Sequence, residues 1–150
     1  MGARFESKSP FSAERPSTLV VCCSDGRWHG QIEEFVEHEV DERADLVAVP
    51  GGPAVVDPWN SSFDEARVFE SAMRLFVQHH ALAAVWLISH HDCAYYKLRH
   101  PELDEQARLV RQRADLLRAA HLIQEGYPRL RLRCVHANLV GDKVVFEPVN

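Results

Sequence analysis

The sequence predicts one α/β domain with a mainly parallel β-sheet and helices on both faces. Three observations carry this reading. Short apolar, β-branched runs alternate with segments of helical periodicity, which is the signature of right-handed crossovers. The last run follows its predecessor too closely for a crossover, so it is expected to be antiparallel. The chain has 150 residues, an ordinary length for one domain.

The elements follow in order. Residues 1–17 are polar and read as an N-terminal arm, with the domain proper over 18–150. Thr18–Cys23 (TLVVCC) is a short apolar run, as a strand buried on both faces should be. In Gln31–Val40, Ile32, Phe35, Val36 and Val40 recur at helical spacing, with Glu33, Glu34, Glu37 and Glu39 on the other face. Asp45–Val49 (DLVAV) is a second strand, stopped by Pro50-Gly51-Gly52-Pro53. Ser62 and Glu65 form a capping-box pattern. The helix after it places Ala66, Phe69, Ala72, Met73 and Phe76 on one stripe. Ala84–Ser89 is a third strand. A long helix from Leu103 to about Ile123 is expected to face the core with Ala107, Val110, Ala114 and Leu117. Leu130–His136 and Lys143–Glu147 are the last two strands, with Gly141-Asp142 as the turn between them.

Composition narrows the function. The chain is 46% hydrophobic and 26% charged, a globular composition. Its net charge of -5 argues against a nucleic-acid partner, since a phosphate-binding surface is usually basic. The arm holds no apolar stretch of the kind a secretory signal needs. The longest apolar run, Ala81 to Ile88, has eight residues, against ~20 for a membrane span. The expected location is the cytoplasm, without membrane partners. Cysteines there read as metal ligands, catalytic thiols or core residues before disulfides.

Two clusters carry chemistry. Cys22-Cys23-Ser24-Asp25-Gly26-Arg27 closes strand one, and His90-His91-Asp92-Cys93 closes strand three. Open α/β sheets place sites at the carboxyl ends of strands, where strand order reverses. If strand two lies outside strand one and the chain then crosses back, strands one and three become neighbours. Cys23, His90 and Cys93 would then supply two thiolates and an imidazole. That set suits Zn2+ and leaves a fourth position for water or substrate. Zinc lowers the pKa of a bound water to ~7. Asp25 could accept a hydrogen bond from the resulting hydroxide, and Arg27 could clamp Asp25 bidentately.

These motifs resemble those of the β-class carbonic anhydrases. Cys23-Ser24-Asp25-Gly26-Arg27 is similar to their Cys-x-Asp-x-Arg motif, and His90-His91-Asp92-Cys93 to their His-x-x-Cys motif. The resemblance runs from about Thr18 to the end. It implies a parallel sheet ordered 2-1-3-4 with a fifth antiparallel strand. It also implies a homodimer or higher homo-oligomer with sites at the subunit interface, and zinc-dependent reversible hydration of carbon dioxide to bicarbonate. Zinc-bound hydroxide would be the nucleophile, with Asp25 and Arg27 as catalytic residues and Gly51 and Gly52 shaping the pocket. The chain departs from the family after strand two, where Ala48-Val49-Pro50-Gly51-Gly52 stands for the usual Arg-Asn-Ala-Gly-Gly, and after Cys93, where Ala94 replaces a glycine.

The blander readings are specific too. Cys22 alternates to the opposite face of its strand and reads as core, as does Cys134. Asp92 reads as a helix cap. His91 and His29 are candidate proton carriers. Trp28, Tyr95 and Tyr96 read as pocket wall or interface, residues a single chain would leave exposed as an apolar patch near the site, and His79, His80 and His100 as surface. No C-x-x-C, G-x-G-x-x-G or P-loop is present. Two further functions stay open: hydrolysis of another small heterocumulene, such as carbonyl sulfide or carbon disulfide, and a zinc-binding structural or regulatory domain without turnover.

Overall fold

The computed structural model describes residue 2, residues 4–40 and residues 43–150. Of the arm, residues 1 and 3 lie outside the described residues. The rest of it up to Pro16 forms no helix or strand and is mostly exposed.

Strand β1, Thr18–Cys23, is buried at all six positions because it lies between two other strands. It pairs in parallel with β2, Asp45–Val49, and with β3, Ala84–His90. Strand β4, Arg131–Val140, runs parallel to β3, and β5, Lys143–Pro148, closes the sheet antiparallel to β4. The order β2-β1-β3-β4-β5 puts the carboxyl ends of β1 and β3 side by side.

Alternation along the strands builds two cores. Leu19, Val21, Val85 and Leu87 face helix α2, Phe63–His79, and helix α4, Glu105–Gly126. Val20, Cys22, Ile88, Val135 and Ala137 face the other way, toward Trp28 and helix α1, His29–Phe35. Helix α1 starts two residues before the expected boundary and passes into a π-helical turn at Val36–Val40. An α-helix rotates each i,i+4 neighbour by about 40°, and the wider turn takes that drift back. Ile32, Val36 and Val40 thus stay in one cluster.

The cap of α2 matches its sequence signature in one arm and departs in the other. Ser62 Oγ accepts from the Glu65 backbone N–H at 3.1 Å. Glu65 does not reach back to the backbone; its carboxylate accepts the Ser62 hydroxyl at 2.8 Å. Helix α4 needs a larger correction. It begins at Glu105, capped by Asp104 Oδ1 on the Ala107 N–H at 2.8 Å. Its buried face is Gln112, Leu116, Ala119 and Ile123, nearly opposite the expected stripe. Val110, Ala114 and Leu117 are exposed and Ala107 only half-buried. The polar Gln112 hid the true face by interrupting its apolar pattern, and the site explains why it is buried. Helix α3, Ala94–Arg99, was not expected.

His80 and His100 are not plain surface residues. His80 Nδ1 lies 2.6 Å from Asp45 Oδ2 and His100 Nδ1 3.6 Å from Glu102 Oε1. Among the described residues, no helix is long and apolar enough to cross a membrane.

Candidate metal centre

β1 ends on Cys23 and β3 ends on His90, and their parallel pairing with a shared partner edge sets both at one end of the sheet. A turn then delivers Cys93 at the start of α3. Both exits are anchored by ladder-like bonds: Ser24 N–H donates to Val49 O at 3.1 Å and His91 N–H to Ala137 O at 2.9 Å. The Cys23 and Cys93 sulfurs and a His90 ring nitrogen all lie within 4.8 Å of one another, and all three residues are buried. Among the described residues this is the one group of three or more such side chains close enough to hold a metal. Cys22, as its alternation requires, packs into the core on the α1 face. Cys134 is half-buried beside the other core.

His90 is prepared for a ligand. Its Nδ1 lies 2.6 Å from the His91 carbonyl oxygen, an acceptor only, so Nδ1 carries the proton and donates it. Its Nε2 is therefore a lone-pair nitrogen, buried and without a partner. Orienting an imidazole through its other nitrogen is how metal-binding histidines are held. The ring also packs on Trp28, centroid to centroid 4.8 Å. Gln112 Nε2 donates to the His90 carbonyl at 3.0 Å, so α4 buries a polar side chain to hold the end of β3.

The two thiols are pushed apart in pKa, Cys23 downward and Cys93 upward. Cys23 ionises first, because Cys93 donates to it and the backbone N–H groups of Asp25 and Gly51 are directed at it, against the opposing effect of burial. The Cys93 thiol is held well above its usual range by its bond to Cys23, then by burial. A bound cation would stabilise both sulfurs as thiolates. An ion ~2.0–2.3 Å from each donor implies donor separations of roughly 3.5–3.8 Å, so separations of up to 4.8 Å need to contract by at most roughly 1.3 Å. Two thiolates and one neutral imidazole fit zinc and leave a fourth position.

Asp25 and Arg27 lie just beyond Cys23. Arg27 Nη2 is 2.6 Å from Asp25 Oδ2, and Nε is 3.1 and 3.0 Å from Oδ1 and Oδ2. The Arg27 backbone N–H donates to Oδ1 at 3.0 Å. These contacts, the guanidinium bonds first, pull the Asp25 pKa down to about 2. Asp25 is thus an ionised acceptor.

Gly51 and Gly52 come against the site by necessity. Both have positive φ, 79 and 52. A Cβ on Gly52 would sit 2.7 Å from the Cys22 carbonyl carbon and the Cys23 nitrogen, and one on Gly51 would sit 2.6 Å from the Tyr95 ring. Backbone cannot step aside as a side chain can, so Gly52→Ala is expected to destabilise the protein by ~1–3 kcal/mol. An unchanged thermal midpoint in that variant would refute the close approach.

Two expectations need correction. Trp28 and Tyr96 are buried within the single chain, at 6% and 4% exposure, and Tyr95 is half-buried. They are core and pocket wall, and they do not leave an apolar patch open at the site. Tyr96 donates to Asp115 Oδ2 at 3.0 Å, and Arg99 stacks over Tyr95 at 4.6 Å. Asp92 does not cap a helix. The residue at the N-cap of α3 is Cys93, while Asp92 sits at φ 59 and pairs with Arg27 and Lys97. Of the two candidate proton carriers, His91 lies 3.3 Å from Glu105 and His29 is exposed at the start of α1.

Residues 13–149 match a family model described as "Putative carbonic anhydrase". No curated protein matches the chain. Among solved structures, carbonic anhydrase from Streptococcus mutans superposes with a TM-score of 0.62 at 12% identity, over 95% of this chain and 87% of that one. The β-carbonic anhydrase CafA of Aspergillus fumigatus gives 0.57 at 9% identity, over 89% and 76%. One of two tetrameric β-carbonic anhydrases of Sordaria macrospora gives 0.56 at 14%, over 89% and 81%. At such identities these likenesses speak for the fold.

Proposed function

The chain belongs to this carbonic anhydrase family, and we propose that it catalyses the zinc-dependent, reversible hydration of carbon dioxide to bicarbonate. The observation that carries the reading is the buried Cys23, His90 and Cys93 group with an Arg27-clamped Asp25 beside it. Cys23, His90 and Cys93 would hold the zinc. When bound, zinc supplies a Lewis acid that makes water a nucleophile at neutral pH.

The chain's own residues do the rest. Asp25 accepts a hydrogen bond from the attacking oxygen and so orients it toward carbon. Arg27 keeps Asp25 ionised and aimed, a bidentate geometry that a lysine could not reproduce. Gly51 and Gly52 let the loop after β2 close on the site without side-chain bulk. His90 is kept in one tautomer by the His91 carbonyl.

Stopped-flow carbon dioxide hydration by the zinc-loaded protein tests the proposal, and turnover well above the buffer blank is expected. The altered loop at Pro50 favours a second reading, a zinc-binding domain without turnover. Full zinc with no hydration, and no release of hydrogen sulfide from carbonyl sulfide or carbon disulfide, would select it.

We also propose that the chain self-associates. Val68 is exposed on α2 beside an open, mainly apolar cavity of about 350 Å³ between β2 and α2, lined by Val47, Val49, Pro50, Val55 and Ala72 with Asp64 and Glu65 at its rim, and Leu75 is exposed two turns further along α2. Exposed apolar surface beside an open apolar cavity is a mark of interfaces. Sedimentation is expected to show a dimer or larger at micromolar concentration, and a strict monomer would refute it.

A further inference from the structure

The Asp25–Arg27 pair is poorly placed to stay fixed on its own. The Arg27 side chain is 60% exposed, against 20% for Asp25, and a single ion pair open to solvent contributes little unless further charges join it in a network. A second carboxylate alters that. Arg27 Nη1 lies 3.2 Å from Asp92 Oδ2, and Nη2 lies 3.2 Å from the Asp92 carbonyl oxygen. Lys97 pairs with the other carboxylate oxygen, Asp92 Oδ1. The guanidinium is thus gripped by Asp25 on one side and by Asp92 on the other.

The backbone at Asp92 fits this role. Its φ of 59 lies in the left-handed region, which aspartate reaches more readily than most side chains. The turn presents the carboxylate and the carbonyl of one residue to the same guanidinium. The next residue is Cys93, so one turn delivers both a thiol and the anchor for Arg27.

We infer that Asp92 is a positioning residue: with Lys97 it fixes Arg27 from the side away from Asp25, so that Asp25 stays with Arg27 and off the metal position. The inference rests on the role proposed above for Asp25. Without Asp92, Arg27 is free to swing into solvent, and Asp25, whose own backbone N–H is directed at the Cys23 sulfur, loses the partner that restrains it.

The test uses Asp92→Gly and Lys97→Met in the full chain, with zinc for kinetics and cobalt(II) for spectroscopy. Glycine accepts positive φ without strain, so Asp92→Gly removes the carboxylate and keeps the turn. It is expected to hold one metal per chain and to lose roughly tenfold in kcat, about what one charged hydrogen bond is worth, with KM little changed. Its cobalt spectrum should shift as Asp25 moves onto the metal, and Lys97→Met should shift it the same way but less. In an Asp25→Asn background, Asp92→Gly should change neither quantity, because residues acting through one another are not additive. A loss that adds to that of Asp25→Asn, or an unshifted cobalt spectrum in Asp92→Gly, would overturn the inference. If the parent hydrates no carbon dioxide, the proposed activity fails, while the cobalt spectra still decide the role of Asp92.

Discussion

Replacing Cys23 or Cys93 by alanine is expected to strip the chain of zinc, while Cys22→Ala keeps one zinc per chain. The argument starts from strand alternation. Cys22 and Cys23 are adjacent, so one faces the α1 core and the other the site. Only Cys23 shares a cluster with Cys93 and the unpartnered His90 Nε2. Losing only a hydrogen-bond partner of a metal ligand costs roughly 10–100-fold in metal affinity, so loss of a thiolate ligand should exceed ~100-fold. Neither variant should unfold, since Cys23 and Cys93 sit in a small cluster of their own with Ala54 and Tyr96, separate from both main cores. Metal analysis after dialysis, with circular dichroism as a control for folding, decides the matter. Full zinc in folded Cys23→Ala, or zinc lost only in Cys22→Ala, would contradict the assignment.

The parts of this molecule that sequence could reveal are those in which local pattern and tertiary role agree. β1 and β3 are continuous apolar runs because each is covered on both faces, and each ends on its ligand. Once their order is known, Cys23 and His90 must be near each other. Helix α4 shows the opposite case. Its buried face contains Gln112, kept there by the His90 carbonyl, so a site requirement broke the apolar period and a periodic reading chose the wrong side. Helix α3 is six residues long and opens at a cysteine that makes no side-chain cap bond, which leaves no local signal. The Arg27–Asp92 contact joins residues 65 apart, and nothing in either neighbourhood announces it. Trp28 and Tyr96 could be placed near the site from their positions beside the motifs. Their burial depends on α1 and on Asp115 of α4, which the sequence does not align with them.

Asp25→Asn is expected to lower the rate of carbon dioxide hydration by ~10²-fold or more, as loss of a positioned proton-accepting group typically does, while zinc stays bound. Asparagine keeps the size and one acceptor oxygen of aspartate, so the loop should not collapse. It loses the charge that Arg27 grips through Nε and Nη2, and its amide nitrogen can present a donor where an acceptor is needed. The metal ligands are untouched, so zinc content and rate should separate in this variant, whereas in Cys23→Ala they fall together. Arg27→Ala provides the complementary case. It leaves the Asp25 carboxylate intact and removes the cation that holds it, so zinc should remain while activity drops. Arg27→Lys should recover only part of it, because an ammonium cannot reproduce the bidentate contact. If Asp25→Asn hydrated carbon dioxide as fast as the parent, Asp25 would have no part in the reaction. Cys23, His90 and Cys93 would still be the natural zinc ligands, and the attacking oxygen would need another acceptor.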